Sequence, residues 1–121
     1  MYILVVDDDP DLALLMSLFL RKQGHEVASA KDGLEALDRV RERVPEMVVL
    51  DWNMPRLDGV GLARAIRGEF GLASLPLLMV TALPDHSEPL AAGVDRVIAK
   101  PFTSATLLGA VEELAGAAPA A

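Results

Sequence analysis

The sequence predicts an α/β domain in which helices cover both faces of a five-stranded parallel sheet. Three fully apolar runs, rich in β-branched residues, are typical of strands buried on both faces: residues 2–6, 47–50 and 77–80. Segments with apolar residues at helical spacing alternate with the strands, so that a β–α order recurs five times. Strands separated by helices require right-handed crossovers, and these produce a parallel, doubly wound sheet.

The two other predicted strands have weaker patterns. Residues 27–30 form a short candidate, and residues 94–99 supply the fifth strand, which ends at the Lys100-Pro101 pair. With these two strands, each β segment is followed by a helical segment along the whole chain.

The first three helices have recognisable limits. Pro10 suits a first helical position, Asp9 is a plausible cap, and Gly24 ends the first helix. The second helix is predicted over residues 32–43 and the third over residues 60–70, after the turn sequence RLDG.

The last two helices differ in expected length. Pro84 and Pro89 bracket polar residues, so the fourth helix must be short or irregular, and Gly93 ends it. Thr103 caps a longer fifth helix. We expect one domain over residues 1–116 and a flexible carboxyl-terminal tail over residues 117–121, which are rich in alanine.

Composition narrows the classes of function. The 121 residues carry 18 acidic and 11 basic side chains, a formal charge of −7, which disfavours direct nucleic-acid or membrane-surface binding and favours a cation or a basic protein partner. The chain has no cysteine, which excludes disulfides and thiolate chemistry. No signal peptide or membrane-spanning run is evident, so we expect a cytoplasmic protein.

Chemically active side chains follow the predicted strands at their carboxyl ends. Because parallel strands share one carboxyl edge, where open α/β sheets bind ligands, we expect these residues to converge there. They are three carboxylates, a hydroxyl and an ammonium group: Asp7, Asp8, Asp51, Thr81 and Lys100.

Three carboxylates with a single ammonium group leave negative charge that favours a divalent cation. Oxygen ligands without histidine or cysteine select Mg²⁺, with Mn²⁺ as the alternative, and the backbone carbonyl of Asn53 is placed to complete the ligand set. A carboxylate oxygen beside such an ion, a hydroxyl and an ammonium group can attack phosphorus. The predicted chemistry is therefore phosphorylation of Asp51.

Four short motifs in this order resemble the marks of the response-regulator receiver domain of two-component signalling: VVDDDP, LDWNMPRLDG, VTA and AKPF. The resemblance covers essentially the whole chain. The chain is similar to single-domain receivers of the chemotaxis-regulator type. It implies a flavodoxin-like fold with strand order 2-1-3-4-5, flanked by five helices.

The resemblance also implies residue roles. Asp51 resembles the residue that accepts phosphate from a histidine kinase or phosphotransfer protein. Asp8, Asp51 and the Asn53 carbonyl resemble the Mg²⁺ ligands, with Asp7 holding the ion through water. Thr81 resembles the switch hydroxyl that moves to the phosphoryl group.

Lys100 resembles the family lysine that pairs with the phosphoryl group, and the resemblance also implies a cis peptide before Pro101.

Two features depart from the family pattern. Val97 stands where an aromatic residue usually reports the state of the site, and only 19 positions separate Thr81 from Lys100, which is fewer than usual. The departures lie in the region that usually contacts downstream partners.

Three functions are compatible with these residues. The leading hypothesis is a signalling switch, not an enzyme, that catalyses only its own phosphorylation and dephosphorylation and thereby changes binding to a downstream protein. The alternatives are a phosphorylation-independent interaction module with a receiver fold and a small magnesium-dependent phosphatase. Against the phosphatase, Asn53 stands where a second general acid would be required.

Overall fold

Strands and helices alternate through the computed structural model, which describes residues 1–117. The strands are β1 (Tyr2–Val6), β2 (Glu26–Ala30), β3 (Met47–Asp51), β4 (Leu77–Thr81) and β5 (Arg96–Ala99). The helices are α1 (Pro10–Lys22), α2 (Gly33–Glu42), α3 (Gly59–Arg67), α4 (Ser87–Ala91) and α5 (Ser104–Ala117). The predicted alternation is confirmed.

All five strands are parallel and lie in the order β2-β1-β3-β4-β5. This is the order that the resemblance implied. At the carboxyl edge Val6 of β1 pairs with Leu50 of β3, and Asp51 pairs with Val80 of β4. The ends of the three central strands are therefore side by side.

Alternate side chains of the central strands enter two separate cores. On one face, Leu4 and Leu50 pack with residues of α2 and α3, among them Ile66. On the other face, Val5 packs with residues of α1 and α5, among them Met16. Helices cover both faces, which explains why β1, β3 and β4 are buried along their whole length.

Two element boundaries differ from the prediction by more than one residue. The strand β5 begins at Arg96 rather than at residue 94, because the Val94 amide donates to the Pro89 carbonyl of α4 and does not pair with β4. The helix α3 ends at Arg67 rather than near residue 70. There the Phe70 amide reaches back to the Ala65 carbonyl, as in a terminal helical turn.

The predicted helix caps are present. The Asp9 side chain accepts hydrogen bonds from two amides of the first turn of α1, and the Thr103 hydroxyl accepts one from the Thr106 amide. Gly24 follows α1 with a φ of +90°, and the Lys100-Pro101 peptide is cis, as the resemblance implied.

The helix α4 contains only five residues, so the expected short fourth helix is confirmed. The proposed domain limit at residue 116 stays a prediction. Of the predicted tail, Ala117 belongs to α5, and residues 118–121 lie outside the described part of the chain. Within residues 1–117, no helix has the length and apolar character needed to cross a membrane.

Candidate functional site

Asp51 is the last residue of β3, at the carboxyl edge of the sheet, and is 7% exposed. Its Oδ1 accepts a hydrogen bond of 2.7 Å from the Trp52 amide. Its Oδ2 lies 3.1 Å from Nζ of Lys100, the residue that follows β5. Three strands therefore fix this carboxylate, since β3 carries it, β4 lies next to it and β5 delivers its cationic partner.

Asp7 and Asp8 join Asp51 at this edge. One carboxylate oxygen of each residue lies within 4.8 Å of the others, so the structure brings the three predicted acids together. Asp7 and Asp51 are buried, whereas Asp8 is exposed. The cluster is open to solvent on the side of Asp8, where an ion can enter.

Asp7 is a buried acid whose side chain is only partly hydrogen-bonded. Its Oδ1 accepts a hydrogen bond from the Asp9 amide, but its Oδ2 is buried without a hydrogen-bond partner, and Nζ of Lys100 is 3.8 Å away. The pKa of Asp7 is raised to about 6. Burial is the largest cause and the charges of Asp51 and Asp8 act in the same direction, whereas the Asp9 amide and Lys100 lower the pKa.

A buried, unpaired carboxylate oxygen is costly unless a charge partner satisfies it. Asp7, with a carboxylate oxygen of each of two more acids within 4.8 Å, is therefore compatible with a site for a hard divalent cation.

Thr81 and Lys100 occupy neighbouring strand ends. The Thr81 hydroxyl, in a residue that is 1% exposed, accepts a hydrogen bond of 3.1 Å from the Leu83 amide. The Lys100 amide donates to the Thr81 carbonyl over 2.9 Å. In this conformation the hydroxyl is engaged by the loop that leads to α4.

Asn53 lies exposed in the loop between β3 and α3, two residues after Asp51. Val97, in the position where the family usually has an aromatic residue, is partly buried against the core that contains α2 and α3. Neither observation assigns these residues a role, and the Asn53 carbonyl as a ligand stays a prediction.

Gly59 is a site residue that the sequence reasoning missed. Its amide donates to the Trp52 carbonyl over 2.8 Å, and any Cβ at this position would collide with the Asp51 carbonyl oxygen. The first turn of α3 can therefore pack directly against the strand end that carries Asp51. A glycine in the first turn of a helix, where better helix formers are available, was the signal in the sequence.

The fold and the site together define a flavodoxin-like α/β domain with an acidic pocket at the carboxyl edge of its sheet. The sequence matches the family described as "Response regulator receiver domain" over residues 3–112. The chain therefore belongs to the response regulator receiver domain family, and the recognition made from its motifs is confirmed.

Relatives agree with this assignment. The chain is 38% identical over 112 residues to the DNA-binding response regulator MtrA of Mycolicibacterium smegmatis, covering 90% of this chain and 48% of that protein. It is 41% identical over 115 residues to the transcriptional regulatory protein PrrA of Mycobacterium tuberculosis, covering 93% and 48%. The chain thus spans about half the length of these relatives.

Solved structures show the same architecture. The chemotaxis response regulator CheY4 of Vibrio cholerae superimposes with a TM-score of 0.88 at 30% identity, covering 93% of this chain and 97% of that one. The receiver domain of NtrX from Brucella abortus superimposes with a TM-score of 0.85 at 33% identity, covering 94% and 98%. These neighbours are receiver domains and response regulators, in agreement with the family assignment of this chain.

Proposed function

We propose that this receiver accepts a phosphoryl group on Asp51 from a histidine kinase or a phosphotransfer protein, in a reaction that depends on Mg²⁺. The observation that carries the proposal is the pairing of Asp51 with Lys100 at 3.1 Å, beside a buried carboxylate of Asp7 that has one oxygen without a hydrogen-bond partner. Folding alone does not require three acids at one edge of the sheet, where Lys100 supplies a single positive charge to Asp7 and Asp51.

The metal ligands in this proposal are Asp8, Asp51 and the Asn53 carbonyl, with Asp7 acting through a water molecule and Mn²⁺ as an alternative ion. When bound, the ion neutralises carboxylate charge and allows a phosphoryl group to approach. The exposed position of Asp8 gives the ion a route from solvent.

The covalent step uses the Asp51 carboxylate as the nucleophile. One of its oxygens forms a bond to phosphorus while the bond between phosphorus and the donor histidine nitrogen breaks, and the electron pair stays on that nitrogen. Lys100 keeps its ammonium group at the site and stabilises the charge on the phosphoryl oxygens. Attack by water on phosphorus reverses the modification and releases inorganic phosphate.

Access for the donor is available next to Lys100. Residues of α1 and of the segment after β5 line a mainly apolar groove of about 410 Å³, among them Leu12, Leu15 and Phe102. A donor protein seated there would have its histidine beside Lys100. The groove therefore offers a donor protein an apolar surface next to Lys100.

Thr81 is the proposed switch. Its hydroxyl leaves the Leu83 amide and moves to the phosphoryl group, which frees the loop that leads to the five-residue helix α4. Since Val97 provides no aromatic ring to move, we assign the output to this loop and to α4. The added charge biases the loop between two arrangements.

The alternative of a phosphorylation-independent interaction module is not favoured, because such a module gains nothing from a three-acid cluster in which a buried Asp7 oxygen lacks a hydrogen-bond partner. The net charge of −7 disfavours DNA contact by the receiver itself. We therefore propose that the receiver controls a protein partner or a linked output domain, in line with the regulators MtrA and PrrA.

Trp52 offers a direct test, since it is the only tryptophan and follows Asp51. Its fluorescence is followed while Mg²⁺ and then beryllofluoride, a phosphoryl mimic, are added to wild type and to Asp51→Asn. We expect a saturable change with each addition in wild type and a much weaker one in the variant. Asp58→Asn is the matched control, because asparagine can keep the cap that Asp58 makes to the Gly61 amide. A flat response of wild type to both additions contradicts the proposal.

A further inference from the structure

Arg56 occupies an unusual backbone conformation in the loop between β3 and α3. Its φ of +66° lies in the left-handed region, and it is the one non-glycine residue with a positive φ among residues 1–117. Glycine adopts this conformation without steric cost, whereas a residue with a Cβ rarely does. An arginine at this position indicates that its side chain is used.

The Arg56 guanidinium binds both carboxylate oxygens of Asp32. Its Nε donates to Oδ2 over 2.8 Å, and its Nη2 donates to Oδ1 over 3.0 Å. The side chain of Asp32 is 3% exposed and that of Arg56 is 54% exposed. Nη2 also lies 2.7 Å from Oδ2. A buried carboxylate therefore holds an arginine that reaches in from the surface, through charge-assisted contacts to both of its oxygens.

Asp32 is itself fixed to a rigid element. It is the amino-terminal cap of α2 and accepts a hydrogen bond of 2.9 Å from the Glu35 amide. Burial alone would raise the pKa of Asp32, but the Glu35 amide and Arg56 outweigh it and hold the pKa below its ordinary value. Asp32 is therefore a charged anchor for the loop.

The backbone strengthens the same connection. The Gly33 amide donates to the Leu57 carbonyl over 3.1 Å, and a Cβ at Gly33 would collide with the Leu57 carbonyl oxygen. At the other end of the loop, the Gly59 amide donates to the Trp52 carbonyl. The segment that contains Asn53 is thus held at both ends.

We propose that Arg56 and Asp32 are positioning residues that clamp the loop between β3 and α3 onto the start of α2 and so preorganise the cation site at Asp51. The contact to the site is indirect, through the backbone that carries the Asn53 carbonyl. Partners that orient metal ligands in this way contribute about 10-fold to 100-fold in metal affinity. The consequence for metal binding rests on the proposed function, whereas the clamp itself does not.

The test uses the full chain and two variants of opposite charge change. Arg56→Gly relieves the unusual φ and removes the guanidinium, and Asp32→Asn can keep the helix cap but loses the charged partner. If the pair acts by positioning, both variants bind Mg²⁺ at least about 10-fold more weakly. If the pair acts only through its electric field, Arg56→Gly binds Mg²⁺ more tightly and Asp32→Asn more weakly, which would overturn the proposal.

A distant pair of the same type supplies the control. Arg43 binds Glu26 through two hydrogen bonds of 2.6 and 3.2 Å on the exposed edge of the sheet. Arg43→Ala removes one positive charge, as Arg56→Gly does, and should leave the Mg²⁺ affinity within about twofold of wild type. Thermal unfolding of each variant shows whether it is folded. Mg²⁺ affinities of Arg56→Gly and Asp32→Asn that equal the wild-type value would overturn the proposal.

Amide hydrogen exchange without metal separates this inference from the proposed function. We expect the Gly33 and Gly59 amides to exchange at least about 10-fold faster in Arg56→Gly than in wild type, while amides in the middle of β3 are unchanged. If wild type fails to bind Mg²⁺, the proposed function fails, and faster exchange at these two glycines still supports the clamp. Unchanged exchange at both glycines overturns it.

Discussion

Removing the charge of Asp7 should stabilise the metal-free protein. The pKa of Asp7 is raised from 3.8 to about 6, chiefly by burial. At 1.36 kcal/mol for each pKa unit, this shift means that the folded protein destabilises the charged form of Asp7 by about 3 kcal/mol. In Asp7→Asn the side-chain oxygen can still accept from the Asp9 amide, but the new amide group is buried. We therefore expect a gain of about 1 to 3 kcal/mol in the free energy of unfolding at pH 8.

The contribution of Asp7 to the free energy of unfolding depends on pH. The folded state holds the Asp7 proton to a higher pH than the unfolded chain does. The stability from this group is therefore fully present below about pH 4 and is lost as the pH rises through about 6. The difference between Asp7→Asn and wild type should accordingly shrink below about 1 kcal/mol near pH 4.

Urea unfolding in the presence of a chelator, at several pH values between 4 and 8, measures this difference. Asp38→Asn is the control, because Asp38 is an exposed acid on α2 and its replacement should change stability by less than about 0.5 kcal/mol. Saturating Mg²⁺ should reduce the advantage of Asp7→Asn, since a bound ion stabilises wild type by mass action. An Asp7→Asn variant that is no more stable than wild type at pH 8 refutes the reasoning.

Three further substitutions have defined outcomes. Lys100→Met should bind Mg²⁺ more tightly, on the order of 10-fold at low salt, because the ammonium group of wild type competes for the same carboxylates. Weaker binding of Mg²⁺ by the variant in a titration contradicts this. Arg67→Ala should lower the free energy of unfolding in urea by about 3 to 5 kcal/mol, because Arg67 is mostly buried and donates five hydrogen bonds. A loss no larger than that of Arg41→Ala, which removes an exposed arginine, contradicts this. Gly59→Ala should cost about 1 to 3 kcal/mol and weaken Mg²⁺ binding, since its Cβ collides with the Asp51 carbonyl; unchanged values in the same two assays contradict this.

The acidic cluster was predictable from the sequence because its causes are local. Apolar runs identified the central strands, and Asp7, Asp8 and Asp51 follow directly from where those runs end. Parallel pairing then places all strand ends at one edge, without knowledge of the strand order. The short helix α4 was predictable for the same reason, since two prolines limit it locally.

The contacts that hold the loops were not predictable. Arg56 and Asp32 are 24 positions apart, and their pairing depends on a positive φ that the turn sequence RLDG does not reveal. Arg67 bonds mainly to backbone carbonyls, which every residue possesses, so no sequence pattern marks its partners. The late start of β5 has a similar origin, because the Val94 amide is taken by the Pro89 carbonyl.

Intact mass spectrometry after incubation with a small phosphodonor and Mg²⁺ tests the central claim most directly. Wild type should gain the mass of one phosphoryl group, the gain should disappear when a chelator replaces Mg²⁺, and Asp51→Asn should gain none. Asp58→Asn, which changes a carboxylate in the same loop, should still be modified. No gain in wild type, or an equal gain in Asp51→Asn, would contradict the assignment of Asp51 as the phosphoacceptor.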